Sequence, residues 1–379
     1  MYKIITIITM FLINNQRLLS LQKNFQKLNF DAFLVSNFYN ILYLTGFKGI
    51  SNEERESWLL ITKDKIYFFT DNRYFSSSKK FIYGKVIIIS NKNNLIKNLK
   101  NIFDERQIKI CGIESDNLKV NEFNFLKTKI KKTSFQPTEQ LILQQRVIKD
   151  KKEIEKIKQA CQITDECLKT IIKIIKKGTT EKEVAFKIEF FLKEKNYDLA
   201  FYPIVAFDEN SSLPHYNTKS GNNKKLGEKG LILIDFGAKF KDYCSDITRV
   251  FFLGKPKDEV FNIYQKLLKI QIKTINCCQN NIKSKVVDNF CRKNLKISFS
   301  SLEPYFYSHA TGHGVGLQIH ENPKISFLSE EKITNNQVFT IEPGIYIPQK
   351  FGLRIEDVII IENNKPKILT KFGKEIRIL

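Results

Sequence analysis

The sequence predicts a mixed α/β (α+β) protein with a small amino-terminal α/β domain followed by a larger domain that carries the chemistry. Three observations predict this. At 379 residues and 44.4 kDa the chain is too long for one ordinary core. Strand-like runs alternate with helical stretches up to about residue 135, whereas after Ala200 apolar strands are divided by Gly, Asn and Lys turns. Hydrophobic residues at 42% and aromatics at 12% are enough for two cores and exclude wholesale disorder.

The elements follow in order. Residues 1–13 (MYKIITIITMFLI) fall short of the roughly 20 apolar residues needed to span a bilayer, and the following INNQRLLSLQ offers no small-residue cleavage site. Residues 1–14 therefore read as a short extension, or as a mis-set start with translation beginning at Met10. Residues 16–29 carry leucines and phenylalanine at helical spacing. DAFLVS, NILYLTGF, SWLLITKDKIYFFTD, KVIIIS and KICGIE read as strands, with a helix near 94–106 between the last two. The first domain then covers 15–136, and the polar SFQPTEQ with Pro137 opens a hinge over 137–148. The second domain covers 149–379. It begins with an amphipathic helix over 149–177 that Gly178 would close, and a Thr180/Glu183 capping box opens the next helix to about Lys195. One more helix is expected near 257–275.

Charge and cysteine content narrow the function classes. The formal net charge of +22 would suit a nucleic-acid or membrane partner. Only 9 of the 62 basic residues are Arg, however, and the lysines are spread along the whole chain. Phosphate recognition favours clustered Arg for its bidentate fork, so a solvated basic surface is the better account and nucleic-acid binding is disfavoured. Seven cysteines, odd in number and without metal-knuckle spacing, argue against a secreted disulfide framework and for a reducing cytoplasm.

The chemistry-bearing residues are concentrated. The chain has four histidines, and His309, His313 and His320 all fall in SHATGHGVGLQIHE; the fourth, His215, sits in the polar loop SSLPHYN. In LILIDFGAKFKDYCSDITRVFFL, Asp235 and Asp246 are equidistant from the Phe240–Lys241 boundary. A hairpin closing there would place their Cβ atoms roughly 5 Å apart. In VFTIEPGIYIPQKFGLRIEDVIII, Glu342 and Glu356 are equidistant from Gln349. Surface acids would explain any one of the four, but not all four in this symmetric setting.

Opposed acids in apolar strands are destabilising unless something positive lies between them. Two divalent ions balance the four carboxylates, and metals roughly 3.5–4 Å apart form a known hydrolytic arrangement. An oxygen-rich set with one imidazole suits Mn²⁺ or Co²⁺ better than a thiolate-rich zinc site would. Cys244, two residues from Asp246, reads as packing rather than as a ligand.

These residues resemble the M24 metallopeptidases. SSLPHY, DFGAKFKDYCSDITR, HATGHGVGLQIHE, IEPGIY and GLRIEDV occur in the family's order and at similar spacings. Within the family the chain is most similar to Xaa-Pro aminopeptidases and prolidases, whose smaller domain carries a segment like NFYNILYLTGFKG. The resemblance implies a creatinase-like amino-terminal domain and a pita-bread catalytic domain. It further implies an aminopeptidase that uses a metal-bridging hydroxide on the bond between an N-terminal residue and proline.

Residue by residue, it implies that Asp235 chelates one ion, that Asp246 and Glu356 bridge both, and that His313 and Glu342 complete the ligand set of the second ion. The ions would be Mn²⁺, with Co²⁺ or Zn²⁺ as alternatives. Glu342 would also shuttle a proton, His320 would stabilise the tetrahedral intermediate, and His215 and His309 would line the substrate pocket. Arg354 would support the ligands or contact a carboxylate, and could equally be an ordinary strand arginine. Three departures bear on pocket shape rather than on the reaction: Ala310 where glycine is usual, Tyr216 where a second histidine is common, and Gln318 for a frequent glutamate. Proline-containing peptides are the implied substrates and a homodimer the implied assembly. The rival readings are a prolidase restricted to dipeptides and a non-catalytic pita-bread binding module; the complete ligand set argues against the module.

Overall fold

The computed structural model describes residues 16–379 apart from 26, 50 and 52, so the amino-terminal apolar run lies outside the described residues. The chain divides into two compact units, Met1–Arg146 and Val147–Leu379.

In the first unit residues 16–25 form helix α1. It is followed by β1 (Ala32–Val35), α2 (Phe38–Thr45), β2 (Ser57–Thr62), β3 (Ile66–Thr70), α3 (Asn72–Ser78), β4 (Lys85–Ile88) and α4 (Leu95–Arg106). Then come β5 (Ile110–Glu114), α5 (Val120–Lys129), β6 (Ser134–Thr138) and α6 (Leu141–Val147). The strands form one sheet in the order β4-β3-β2-β1-β5-β6. The pairs β3–β4 and β5–β6 are parallel, and α3 and α5 supply the crossovers that parallel pairing requires.

Two expectations for this unit are corrected. NILYLTGF belongs to helix α2, not to a strand. Asn37 caps it by accepting from the Asn40 amide (3.1 Å), and Gly46 ends it at φ 78°. Six of its eight residues are buried, and a short apolar run buried all round has no periodicity to separate helix from strand. SFQPTEQ is not a hinge, because Ser134–Thr138 forms strand β6. Pro137 is tolerated there because β6 is the edge of the sheet.

The second unit opens with α7 (Lys151–Ile171) and α8 (Glu181–Glu194), each entered through a capping box, Asp150/Glu153 and Thr180/Glu183. Helix α7 is shorter than expected. It passes into a 3₁₀ turn at Ile172–Ile174, where β-branched residues crowd, and Gly178 (φ 87°) serves a later turn whose amide bonds Leu226 O.

Next come β7 (Asp198–Leu199), β8 (Ile204–Phe207), β9 (Gly230–Phe236), β10 (Ala238–Phe240), β11 (Tyr243–Cys244) and β12 (Ile247–Leu253). Helices α9 (Asp258–Cys277) and α10 (Ser284–Ser298) follow, and then β13 (Gly312–Gly314), β14 (Glu321–Ile325), β15 (Val338–Ile341), β16 (Gly344–Ile347), β17 (Phe351–Arg354), β18 (Glu356–Glu362) and β19 (Lys365–Ile368). Helix α10 was not foreseen, although Val287, Cys291 and Leu295 are buried at four-residue spacing.

The main sheet runs β14-β13-β15-β18-β12-β9-β8, with β19 beside β18. Strand β9 explains its own continuous apolar run, since both of its faces are covered. Ile232, Ile234 and Phe236 pack with α7 and α8 residues such as Leu168, Val184 and Ile188. Leu231 and Leu233 pack with Val250, Phe252 and α9 residues such as Tyr264 and Leu267.

A buried ion network ties the middle of this sheet to the carboxyl-terminal segment. Asp357 accepts from Arg249 (2.7 Å), Thr370 (2.8 Å), Gln271 (2.9 Å) and Lys374 (2.7 Å). Arg249 also donates to the carbonyls of Glu356 (2.5 Å) and Phe372 (2.8 Å). Burial pushes the Asp357 carboxyl up, but Arg249 and Lys374 outweigh it and hold the pKa below the ordinary 3.8. Asp357→Asn should cost about 3–5 kcal/mol, read from the urea midpoint, because it leaves Arg249 buried and uncompensated. The depressed folded-state pKa fixes the sign of the pH dependence. In the wild type this contribution is complete above pH 3.8 and is lost as pH falls through the lower folded value, which acid titration of stability checks.

Candidate metal centre

The site is built from one transverse row across four strands. Asp235 on β9 is the register partner of Thr248 on β12, and Thr248 is the partner of Glu356 on β18. Strands β15–β18 and β16–β17 keep one continuous register, with Ile341 opposite Asp357 and Gly344 opposite Arg354. Glu342 therefore falls opposite Glu356 at the junction of the two ladders, the pairing expected from the sequence. The row shares its face of the sheet with Leu233 and Val250.

The first hairpin is corrected. Asp235 opposes Thr248 and not Asp246, because the turn is Lys241–Asp242 rather than one centred on Phe240–Lys241. Both turn residues have positive φ (46° and 73°), which Asp tolerates and a bulky Phe does not. Asp246 lies two residues before Thr248, just ahead of the start of β12. The same register brings Gly237 opposite it, where an added Cβ would lie 1.8 Å from Ser245 O.

His313 enters from β13, its amide donating to Thr340 Oγ1 (3.1 Å). Gly312 beside it is obligatory, because a Cβ there would meet Thr340 O at 1.8 Å. His313 Nε2 lies 3.6 Å from Asp246 Oδ2 and 3.5 Å from Glu342 Oε1. Among the described residues, Asp246, His313 and Glu356 each bring one ligand atom to within 4.8 Å of the others. Cys244 is outside this group; its thiol is buried and directed at Leu317 O (3.8 Å).

Among the described residues Arg354 is the buried cation paired to the row. It donates to Asp235 Oδ2 (2.5 Å), Thr248 Oγ1 (3.0 Å), Tyr346 Oη (2.7 Å) and Pro214 O (3.2 Å). Through Pro214 it fixes the loop of His215, and Thr248 in turn donates to Glu356 Oε2 (2.6 Å). Thr340 Oγ1 donates to Glu342 Oε1 (3.3 Å). Thr248, Thr340 and Tyr346 were missed at the sequence level. The two-residue spacing from Asp246 to Thr248 and from Thr340 to Glu342 was the available signal.

The accessory histidines surround the row. His309 Nδ1 is 3.8 Å from Glu342 Oε2, and the His320 ring lies edge-on to His313 at 4.3 Å. His215 is exposed. Tyr216 takes no part in the row. Its hydroxyl donates to the buried Glu181 Oε2 (2.8 Å), which anchors the His215 loop to the start of α8.

One guanidinium does not balance this much acid. Burial, and then the charge of Glu356, push the Asp246 carboxyl well above its ordinary range; burial and then Glu342 do the same to Glu356. Burial raises Glu342 to about 8 and depresses His313 to about 3 and His309 to about 4. Asp235 Oδ1 and Asp246 Oδ1 are buried without a hydrogen-bond partner. Hard oxygen donors without partners, beside an imidazole held neutral, fit divalent cations.

Comparison with known proteins gives the family. The profile described as Metallopeptidase family M24 matches residues 155–363, and that of the Creatinase/Prolidase N-terminal domain matches residues 17–148. An Xaa-Pro dipeptidase of Pyrococcus horikoshii is 32% identical over 365 residues, covering 96% of this chain and 99% of that protein. The structure of an Xaa-Pro dipeptidase from Bacillus anthracis superposes with a TM-score of 0.89 at 32% identity, over 97% of this chain and 100% of the other. An X-Pro aminopeptidase from Thermotoga maritima gives 0.83 at 31%, over 93% and 98%. With a creatinase-type first domain and a pita-bread second domain, the chain belongs to metallopeptidase family M24, whose relatives here are Xaa-Pro dipeptidases and aminopeptidases.

Proposed function

We propose that this chain is an Xaa-Pro aminopeptidase, hydrolysing the bond between an N-terminal residue and proline with two divalent cations, Mn²⁺ before Co²⁺ or Zn²⁺. The observation that carries the reading is the single row of acids, Asp235, Glu356 and Glu342, with Asp246 and His313 beside it and, among the described residues, Arg354 alone as a buried cation paired to it. In this reading Asp235, Asp246, His313, Glu342 and Glu356 hold the cations. When bound, such ions supply Lewis acidity and lower the pKa of water from about 15.7 to about 7.

The chain's own groups do the rest. Glu342, raised by burial, is a carboxylate that can take a proton at Oε2 and return it to the departing proline nitrogen; positive charge beside it brings its pKa back down. His309, Nδ1 3.8 Å from Glu342 Oε2, and His215, exposed at the rim, flank the position of the scissile bond. His320, beside His313, is placed to donate to oxygen that gains charge. Arg354 positions Asp235 and the His215 loop together. The bond before proline has no amide hydrogen, and general peptidases that hold a substrate as an added strand lose a backbone donor there.

A second reading is an Xaa-Pro dipeptidase, favoured by the names of the dipeptidase relatives. The seven cysteines, all free, support a reducing cytoplasmic setting, and among the described residues no helix is long and apolar enough to cross a membrane. The family resemblance supports a homodimer.

With Mn²⁺ the chain should cleave a Xaa-Pro-containing tripeptide faster than the matching dipeptide; strong dipeptide preference moves the assignment to prolidase, and no cleavage of either rejects both. Glu342→Gln should lower kcat by about 10²–10⁴-fold while retaining bound metal, measured by steady-state kinetics beside elemental analysis. Asp246→Ala should abolish turnover. Chelation should lower the wild-type melting temperature by removing ligand-linked stability, and Asp246→Ala should respond less to added Mn²⁺ in the same thermal scan.

A further inference from the structure

We propose that Arg292, braced by Asp288, is a positioning residue that fixes His309 against the candidate centre; the inference rests on the hydrolase reading above. Both residues lie on α10, four apart and therefore on one face. Asp288 is fully buried. Its Oδ2 accepts from Arg292 Nε (2.8 Å), and its Oδ1 accepts from the Thr311 hydroxyl (2.6 Å) and amide (3.2 Å). With Nε committed to Asp288, Arg292 directs its two terminal nitrogens at backbone carbonyls, Tyr307 O at 3.1 Å and His309 O at 2.7 Å.

The same guanidinium also sits over the Tyr307 ring, its Cζ 4.4 Å from the ring centre, and that ring packs at a 34° tilt against the His309 imidazole with centroids 4.9 Å apart. His309 is thus held by its carbonyl and by its ring from a single side chain. The clamp also reaches Glu342, whose amide donates to Thr311 O (2.9 Å), and the Tyr307 hydroxyl bonds the Thr311 hydroxyl.

The segment being held has little ladder of its own. Among the described residues it is tied to neighbouring strands at its two ends, by the isolated bridge Phe306 to Ile345 with Tyr307 N donating to Gly344 O, and by Thr311, whose amide donates to Ile325 O and whose carbonyl accepts from Glu342 N; His309 lies between these ties. A loop so placed would let the His309 ring wander, and misplacement of about 1 Å near reacting groups can cost about 10²-fold in rate. Lysine could not replace Arg292 fully, because a point donor serves one carbonyl where the fork serves two.

The test compares wild type, Arg292→Met and Arg292→Lys. Met keeps the apolar stem and removes the donors; Lys keeps the charge and is the variant to rely on if Met fails to fold. With Mn²⁺ and a Xaa-Pro peptide, Arg292→Met should lose about 10²-fold in kcat/KM, with KM rising and metal content unchanged, while the melting temperature falls because Asp288 stays buried without its cation; Lys should restore part of both losses. In ¹⁵N-histidine spectra of the Zn²⁺-loaded protein the chain's four imidazoles can be followed singly; the His309 signal should shift, while those of His215 and His320 stay. Wild-type kinetics in both variants, or an unmoved His309 signal, overturns the proposal. Lost activity accompanied by lost metal or by shifts of all four imidazoles also overturns it, since that is a structural role. If the wild type cleaves neither peptide the hydrolase reading fails, and the His309 signal alone then decides the positioning claim.

Discussion

Asp235, Thr248, Glu356 and Glu342 occupy one line across β9, β12, β18 and the end of β15, and the charge on that line governs the rest of the second unit. Like charges opposed across strands destabilise a sheet, and burial removes the water that would screen them. Arg354 neutralises Asp235, and the two threonines satisfy one oxygen each of Glu356 and Glu342. The remainder of the acid is left for cations. The fold thus keeps a charge imbalance on one face of a sheet whose other face is balanced by protein alone.

That other face makes the contrast plain. Asp357, the neighbour of Glu356, opposes Ile247, so its side chain leaves the sheet on the opposite side. There it meets Arg249, Lys374, Thr370 and Gln271, and its pKa is held down where those of Glu356 and Asp246 are driven up. Two adjacent acids on one strand therefore have opposite electrostatic fates, decided by which face each occupies. The accessory histidines are positioned from outside the sheet, with Arg354 and Tyr216 holding the His215 loop and α10 holding the His309 loop.

Much of this was legible in the sequence. The hairpin about Gln349 has the register expected from its symmetric glutamates, the Thr180/Glu183 capping box opens α8, and the helix expected at 94–106 forms at Leu95–Arg106. Other elements were not legible, for identifiable reasons. NILYLTGF is buried all round and carries no period, and α10 hides its Val287, Cys291 and Leu295 among lysines and asparagines. The hairpin of Asp235 lacks an Asn-Gly or Asp-Gly turn, so nothing local marks its centre, and a one-residue difference there makes Thr248 rather than Asp246 the partner of Asp235.

The sequence by itself determined the candidate chemistry-bearing residues and the period and caps of most elements, because helical spacing, alternation and turn residues act over a few positions. Only the tertiary structure decided which of those residues become neighbours. Thr248 meets Glu356 across 108 positions and Arg354 meets Asp235 across 119. No local pattern encodes such pairs. They are fixed when the two faces of β9 and β12 are covered by different helices, which leaves each strand one orientation and its acids one side on which to gather.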